Sequence, residues 1–360
     1  MRYLTIVPFK SRFLARSATH AVLLCFVCLG TLQAAGAAPE ALCDESCLKG
    51  FMDTYLDALS KHDPSQVPVA AHYRFTENGA EIRLGEALWV TFNSLGKYRH
   101  DVSDAETGGI ASYLNIVENH EFPFPGLLAV RLKVGNRKIT EIETVVNRHA
   151  RAADNLPPQD PSWLEIMNRT EPESTRISRD ALKKGALGYL RAIAFHNGAL
   201  APFAQSCIRL ENGGVTALGA NDKPPVPVLK MPPPANGAPP APSFFLLGLG
   251  CADQLSRLSY SFITGYEDAH FPIVDTKRQL VFATFDFMRR GNVETWSLDG
   301  KTVPFPEGMR YPNEILNTEI FKFVDGKITR VEAVFEGPQS YMRGTGWPGG
   351  SKAESRPIGQ

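Results

Sequence analysis

Four of the chain's six cysteines lie beyond its first forty residues, at Cys43, Cys47, Cys207 and Cys251. An even number of cysteines is typical of a protein that folds in an oxidising compartment, where they pair as disulfides. Four cysteines allow three connectivities, and we favour Cys43–Cys47 and Cys207–Cys251 because the first two are close in sequence and the second two flank a proline-rich insertion. A zinc site is the alternative, but C-x3-C is not the usual zinc spacing and no pair of histidines lies near it.

The other two cysteines, Cys25 and Cys28, lie in an apolar segment near the N-terminus. This segment, Ala21–Leu32, follows four basic residues and precedes the small residues Ala35–Ala37, as in a secretory signal peptide with its cleavage site. Its twelve residues are too few to span a bilayer, which takes about 20. We therefore expect residues 1–38 to be removed and the protein to be exported, to the periplasm or outside the cell. An uncleaved N-terminal anchor is the alternative.

Signal cleavage also changes the net charge of the chain. The full sequence has 38 basic and 38 acidic residues, and removal of the signal peptide leaves 34 and 38. Hydrophobic residues make up 43% of the sequence, which excludes a collagen, a coiled coil and a protein of many membrane spans. A mildly acidic chain has no bulk basic field for nucleic acid. We expect neither a nucleic-acid partner nor, after cleavage, a membrane partner.

The sequence carries none of the familiar catalytic motifs. It has no G-x-S-x-G, no H-E-x-x-H, no P-loop and no dinucleotide-binding fingerprint in a strand–turn–helix context. The eight histidines are too scattered to suggest a metal triad. The sequence therefore predicts neither a metal nor a cofactor.

Part of the sequence occurs twice. Tyr55–Gly85 matches Tyr189–Gly219 without a gap at an offset of 134, with 11 of 31 positions identical. Lys133–Val145 matches Lys322–Val334 at an offset of 189, which locates the insertions in the second copy. Such self-similarity predicts two copies of one domain.

The repeat divides the chain into segments. We predict a first domain at residues 43–150 and a second at residues 176–347, joined by a proline-rich linker at 151–175. A proline-rich insertion at 220–243 interrupts the second domain and is expected to be a surface loop, since it cannot form the interior of a sheet. Residues 348–360 are expected to be a disordered tail.

Each copy shows the same order of predicted elements. In the first copy, helical periodicity over Cys47–Lys61 ends at His62-Asp63-Pro64, and a short helical turn follows. Asn78-Gly79 is a strong hairpin signal because both residues tolerate positive φ. The predicted strands are Tyr73–Thr76, Glu81–Leu84, Tyr98–Val102, Gly109–Glu118, Leu127–Val134 and Lys138–Arg148. Helices followed by a run of antiparallel strands indicate an α+β fold.

These elements resemble the SnoaL-like branch of the nuclear transport factor 2 (NTF2)-like superfamily. More narrowly, the chain resembles a family of secreted bacterial and fungal proteins that carries a domain of unknown function, DUF8021. The resemblance covers nearly everything from Cys43 to Trp347, and the residues that carry it are Cys43-Asp44, Cys47-Leu48, Tyr55-Leu56, His62-Asp63-Pro64, Thr76-Glu77-Asn78-Gly79, Leu88-Trp89, Pro202-Phe203-Ala204, Cys207, Arg209, Glu211-Asn212-Gly213, Val274-Asp275, Tyr341-Met342 and Gly346-Trp347. It implies two tandem cone-shaped domains, in each of which helices pack in a curved antiparallel sheet.

Within the superfamily, ketosteroid isomerase implies roles for four residues. Tyr55 stands where the isomerase has its tyrosine, and Glu77, after a two-residue gap, falls at the place of the catalytic base. Tyr189 and Glu211 are their counterparts in the second copy. A carboxylate in an apolar cone has a raised pKa and can move a proton next to a carbonyl, while a buried tyrosine hydroxyl holds the oxyanion. The isomerase has a second oxyanion donor, a protonated acid on a late strand, for which the sequence offers no counterpart.

Each of these residues also has a structural explanation. Glu77 could cap the hairpin turn or lie in solvent, and Tyr55 could be a core aromatic residue whose hydroxyl reaches a backbone carbonyl. His62 and His196 end their helices, where an imidazole can bond free carbonyls and complement the helix dipole.

A further group of residues is predicted to line a ligand pocket. Trp89, Tyr98, His100 and Asp101 cluster where the first cone would open and are candidates for a ligand pocket, with a surface location as the alternative.

Two local interactions are also predicted, a pair of Asx turns and a cross-strand ion pair. Asp104 and Asp275 precede strands at matching positions and are expected to form Asx turns. Arg131 and Glu143 alternate along neighbouring strands and are expected to pair across them.

These observations favour an exported protein that binds a small apolar or carbonyl-containing organic molecule in an NTF2-like pocket. If it is an enzyme, we expect a cofactor-independent isomerase or a lyase such as a dehydratase, with Glu77 or Glu211 as the base. The alternative is a non-catalytic ligand-binding or protein-interaction module. The two domains are expected to pair sheet to sheet within one chain, which would be a monomer or a homodimer.

Overall fold

The computed structural model describes residues 43–148, 156, 161–228, 246–291, 294–305, 310–339 and 344–356. The predicted signal peptide and most of the predicted proline-rich insertion lie outside these ranges. We refer to residues 43–148 as the first half and to the described residues from 176 onwards as the second half.

Each half begins with a long amphipathic helix. Helix α1 is Glu45–Ser60, close to its predicted bounds, and Asp44 caps it by accepting a hydrogen bond from the Cys47 backbone N–H at 2.8 Å. Its buried face includes Leu48, Met52, Tyr55, Leu56 and Leu59, at the spacing of one side of a helix. The short helices α2 and α3 are Leu88–Thr91 and Ser162–Asn168, the second long helix α4 is Arg179–Ala194, and α5 is Gly250–Ser256.

The first half forms a six-stranded sheet. Its strands are β1 Val69–Glu77, β2 Ala80–Glu81, β3 Phe92–Asp104, β4 Gly109–Glu118, β5 Phe124–Gly135 and β6 Lys138–Asn147. The strand order is β2-β1-β6-β5-β4-β3. Asn78 and Gly79 both have positive φ, 49° and 79°, and turn β1 into β2 as predicted.

The second half repeats this order. Its strands are β7 Phe203–Glu211, β8 Gly214–Ala217, β9 Gly265–Asp275, β10 Leu280–Arg289, β11 Thr295–Leu298, β12 Lys301–Pro304, β13 Asn313–Val324, β14 Lys327–Gln339 and β15 Glu354–Ser355. The sheet order is β15-β9-β10-β13-β14-β7-β8, and β11 and β12 pair separately. Without β15, this strand order is that of the first sheet read in reverse, with each strand replaced by its counterpart.

The prediction of purely antiparallel sheets is wrong, because both sheets are mixed. Strand β1 pairs in parallel with β6, and β7 pairs in parallel with β14. Consecutive strands joined by tight turns must be antiparallel, whereas β1 and β6 are joined only through the whole intervening sheet, which allows the parallel pairing.

A core layer between the two sheets joins the halves. Tyr113 of β4 meets Phe282 of β10 with ring centroids 6.1 Å apart, and residues of both halves form one buried cluster. Trp163 and Met167 of α3, within the segment expected to be a linker, are buried in the same cluster. A helix forms there because its apolar face has this cluster to pack against.

The last described residues extend the second sheet. Strand β15, in the segment expected to be a disordered tail, pairs antiparallel with β9. Arg356 donates hydrogen bonds to the backbone oxygens of Ala194, Ser261 and Ile263, which fastens this end of the chain to the second half.

Candidate functional site

Both predicted disulfides are confirmed. Cys43 bonds to Cys47 at the start of α1, and Cys207 on β7 bonds to Cys251 on α5. Two disulfides fit an exported protein.

Glu77 lies inside the first half rather than in solvent. It is 7% exposed at the end of β1, where one carboxylate oxygen accepts a hydrogen bond from the Leu88 backbone N–H at 3.1 Å and the other lies 3.0 Å from Arg148. Arg148 also binds Glu118, with Nε and Oε2 2.8 Å apart. Burial raises the pKa of Glu77, although Leu88 and Arg148 act in the opposite direction. Both oxygens of this carboxylate are therefore already engaged.

Tyr55 lies in the same core. Its ring meets the Trp89 ring nearly edge-on, with centroids 5.5 Å apart. Burial raises the pKa of Tyr55 above its ordinary value, and the charge of Glu77 adds to the effect. Tyr55 and Glu77 are thus electrostatic neighbours, packed among aromatic and apolar side chains.

In the second half, the counterparts of Tyr55 and Glu77, which are Tyr189 and Glu211, lie near a buried arginine. The guanidinium of Arg209, on β7, lies 3.0 Å from Glu211 and donates hydrogen bonds to Gln254 at 2.6 Å and to the Tyr260 hydroxyl at 2.8 Å. The Tyr260 hydroxyl in turn donates to Glu211 at 3.0 Å. Arg209 has no exposed surface, and Glu211 is the acidic partner of this fully buried cation.

Tyr189 and Glu319 complete this group, which we call the Arg209 cluster: Tyr189, Arg209, Glu211, Gln254, Tyr260 and Glu319. Burial and the charge of Glu211 raise the pKa of Glu319 well above its usual range, although Arg209 acts in the opposite direction. The raised pKa favours the protonated form of Glu319. Within the part of the chain that the structure describes, Tyr189 Oη, Arg209 Nη1 and Glu319 Oε2 are buried without a well-formed hydrogen bond, although Tyr189 lies close enough to Glu319 to lower the pKa of that acid.

Sequence reasoning predicted Tyr189 and Glu211 but not their partners. A signal for two of them lies in the repeat. At an offset of 134, Arg209 stands where the first half has Phe75, and at an offset of 189, Glu319 stands where it has Val130. A charged residue in the place of an apolar strand residue marks a departure from a simple core.

The predicted pocket residues do not form one site. Trp89 packs on Tyr55 in the first-half core, whereas Tyr98 and His100 lie between the two sheets and both bind Glu332 of β14. Asp101 forms an ion pair with Arg99 and accepts a hydrogen bond from Ser112. These residues are separated because neighbours along a strand alternate between faces, and only the pairing of the sheets decides which face is covered.

The two helix-ending histidines bond carbonyls of other segments. Both have positive φ of 53°. His62 Nδ1 lies 2.6 Å from the Trp89 carbonyl oxygen, and His196 Nε2 lies 3.3 Å from that of Ile263. They therefore connect each long helix to the layer that covers it.

The predicted local interactions are confirmed. Asp104 Oδ1 accepts from the backbone N–H groups two and three residues later, and Asp275 Oδ1 does the same. Arg131 Nε lies 2.7 Å from Glu143 Oε2.

Two kinds of feature, a metal-binding group of side chains and a membrane-spanning helix, are absent from the described residues. No group of three or more His, Cys, Asp or Glu side chains is arranged there to hold a metal ion. None of the helices in those residues has the length and apolar character needed to cross a membrane.

Among solved structures, the chain is similar to small proteins that cover part of it. An NTF2-like protein from Burkholderia thailandensis is 14% identical, with a TM-score of 0.23, over 28% of this chain and 91% of that one. An LEH-like epoxide hydrolase from M. tuberculosis is 12% identical, with a TM-score of 0.23, over 28% of this chain and 82% of that one. A protein with a cystatin-like fold from Methylobium petroleophilum is 12% identical, with a TM-score of 0.26, over 46% and 83%.

No sequence among the curated proteins matches the chain. Residues 175–335 match the model of the family described as a domain of unknown function, DUF8021. This match covers most of the second half of the chain, one of the two halves over which the resemblance extends.

Proposed function

We propose that the chain consists of two tandem NTF2-like domains and that the second binds a small organic molecule through a carbonyl or carboxylate oxygen at the Arg209 cluster. The observation that carries this proposal is the set of three neighbouring buried polar atoms, on Tyr189, Arg209 and Glu319, that make no well-formed hydrogen bond among the described residues. Leaving a buried polar group unpaired costs about 1–3 kcal/mol. A ligand oxygen that accepts from these three donors would remove that cost.

The same arrangement suits acid–base chemistry without a cofactor. Glu211 is a carboxylate held by Arg209 and Tyr260, so it can take a proton from the carbon next to a carbonyl group. The electron pair of that C–H bond moves onto the carbonyl oxygen, where Tyr189 and protonated Glu319 stabilise the negative charge. Return of the proton to another carbon gives an isomerase, and loss of a leaving group gives a lyase. Glu319 thus supplies the second oxyanion donor that sequence comparison did not find.

The first half is assigned a structural role, because the place of Arg209 is taken there by Phe75, a buried apolar residue. The wholly non-catalytic alternative, a binding or interaction module, differs in its prediction for proton transfer. Export to the periplasm or outside the cell is part of the proposal and is supported by the two disulfides.

Exchange of the α-protons of cyclohexanone in deuterated water, followed by NMR, tests both parts. The wild-type protein should accelerate exchange, and Glu211→Gln should slow it by about 100-fold, the lower end of what a positioned base contributes. Glu77→Gln is the matched control and should leave exchange unchanged. Saturable binding of cyclohexanone without exchange would favour the binding module, and equal effects of the two substitutions would contradict the assignment to the second half.

A further inference from the structure

The layer between the two sheets contains two equivalent glutamates. Glu332 on β14 and Glu143 on β6 hold the same position of the repeated strand, at an offset of 189. Both are buried, at 3% and 4% exposure. The contacts of these two glutamates can therefore be compared at equivalent positions of the interface.

The carboxylate of Glu332 is fully engaged by the first half. Its Oε1 accepts a hydrogen bond from the Tyr98 hydroxyl at 2.5 Å, and its Oε2 lies 3.0 Å from His100 Nδ1. Trp163 of α3 is buried in this cluster, with the Arg330 guanidinium 5.9 Å from the centre of its ring. This side of the layer is filled.

Glu143 is only partly engaged. Its Oε2 accepts from Arg131 at 2.7 Å and from the Thr284 hydroxyl at 3.4 Å, but its Oε1 has no hydrogen-bond partner among the described residues. A buried carboxylate oxygen without a donor is costly. The missing donor is the one that Tyr98 provides to Glu332.

Strand register shows why that donor is missing. His100 pairs with Tyr113 on β4, and His270 pairs with Thr284 at the matching position of β10. Two residues before His270, where a bulge shifts the register of β9, the second half has Asp268, whereas the first half has Tyr98 two residues before His100. An ionised carboxylate has no proton to donate to Glu143.

Asp268 is bound instead by Thr345, which follows the last long strand, β14. Its carboxylate accepts from the Thr345 backbone N–H at 2.7 Å and from the Thr345 hydroxyl at 2.8 Å, and it lies 3.0 Å from His270 Nε2. Although burial acts to raise it, these contacts lower the pKa of Asp268, which stays ionised. The segment that contains Thr345 and Gly350 therefore packs against Asp268.

A cleft of about 650 Å³ lies on this side of the layer. Its walls include Glu143, His270 and three aromatic residues, Tyr73, Phe271 and Trp347. The Arg131 guanidinium lies 4.7 Å from the centre of the Trp347 ring, and the Trp347 Nε1 donates to Thr76 at 3.2 Å. Arg131 is thus occupied by Glu143, Glu141 and Trp347. The other two basic wall residues, Arg74 and Lys133, contact Glu81 and the Thr107 carbonyl oxygen.

We propose that this cleft binds a ring compound that carries a hydroxyl group. The ring would lie among Tyr73, Phe271 and Trp347, and the hydroxyl would donate to Glu143 as the Tyr98 hydroxyl donates to Glu332. A phenol and a pyranose sugar share this chemistry. The site is separate from the Arg209 cluster and does not depend on the function proposed there.

Binding of phenol, of methyl β-glucopyranoside and of toluene to the full chain tests the proposal by titration calorimetry. One of the two hydroxyl compounds should bind with one-to-one stoichiometry, and its identity distinguishes phenol from sugar. Toluene, which has no hydroxyl, should bind at least about tenfold more weakly, as expected for one lost hydrogen bond to a carboxylate. Failure of both hydroxyl compounds to bind, or equal binding of toluene, would overturn the proposal.

Substitutions locate the site. Thr140→Trp fills the cleft from its wall and should abolish binding, while Tyr73→Ala should weaken it by about fivefold through lost ring contact. Tyr311→Ala removes an exposed tyrosine that does not line the cleft and should leave binding unchanged. Glu211→Gln, in the Arg209 cluster, should also leave it unchanged. Full binding by Thr140→Trp, with an unchanged melting temperature, would place the ligand elsewhere.

Discussion

Glu77 and Glu211 end equivalent strands of the two halves, but their surroundings differ. Glu77 is bound by Arg148, a partly exposed residue that follows the last strand, and its neighbour two residues earlier is Phe75. Glu211 is bound by Arg209, which replaces that phenylalanine and lies wholly inside the core. In the first half the ion pair closes the edge of an apolar core, whereas in the second half the charge lies within the core. One difference at an equivalent strand position, phenylalanine in the first half and arginine in the second, therefore places a charge inside one core and leaves the other apolar.

The two disulfides give the largest expected difference between the halves. Cys207–Cys251 spans 44 residues, whereas Cys43–Cys47 spans four. In the chain-entropy description, the longer loop stabilises by about 4 kcal/mol and the shorter by about 2 kcal/mol. Replacing Cys207 and Cys251 by alanine should therefore lower the free energy of unfolding in urea by about twice as much as replacing Cys43 and Cys47. An equal loss for the two pairs would show that loop length does not govern their contribution.

Removal of Arg209 and removal of Arg148 should lower the free energy of unfolding by different amounts. Arg209→Met leaves Glu211 buried without its cation and should cost about 3 kcal/mol, as is typical of a broken buried ion pair. Arg148→Met breaks the contacts of a partly exposed arginine with Glu77 and Glu118, which solvent partly screens, and should cost less, about 1 kcal/mol. Urea unfolding of the two variants checks this order. If Arg148→Met proved the more destabilising, the first-half pair would be the more important one and the contrast drawn above would be wrong.

A buried acid should make the stability of the second half depend on pH. Asp286 on β10 stands where β4 has Asn115, and burial together with the carboxylates of Glu314 and Asp268 raises the pKa of Asp286 to about 8. The folded protein then holds a proton that the unfolded chain releases above about pH 4. Stability from this group is therefore present at low pH and is lost as pH rises from about 4 to about 8.

Asp286→Asn should remove this dependence. The variant should gain several kcal/mol over wild type at pH 8 and about 1.5 kcal/mol at pH 5, measured by thermal unfolding at the two values. The reverse exchange, Asn115→Asp, should destabilise the first half at pH 8, because Asn115 donates to the Leu156 carbonyl oxygen at 3.1 Å and a carboxylate cannot. A gain for Asp286→Asn that is the same at both pH values would contradict the raised pKa.

Local features of the fold were predictable because they depend on neighbours in sequence. The bounds of β4, Gly109–Glu118, agree with the prediction, and α1 differs from its prediction by one or two residues at each end. Asn78-Gly79, the two Asx turns and both disulfides also follow from residues that are close together or that flank one insertion. The candidate site was predictable only in part, since the repeat identified Tyr189 and Glu211 but assigned them no partners.

By itself, the sequence determined the α+β class, the duplication, the disulfide pairs and the acids at the ends of the equivalent strands. Only the tertiary structure decided which strands pair in parallel, that Tyr98 and His100 face the second half, and that Arg209 meets Tyr260 and Glu319. Tyr98 and Glu332 are 234 residues apart, and no periodicity within either strand indicates which face the other sheet will cover. Alternation along a strand specifies two faces, but the packing of one sheet on the other decides which face is the interface and where it leaves a cleft.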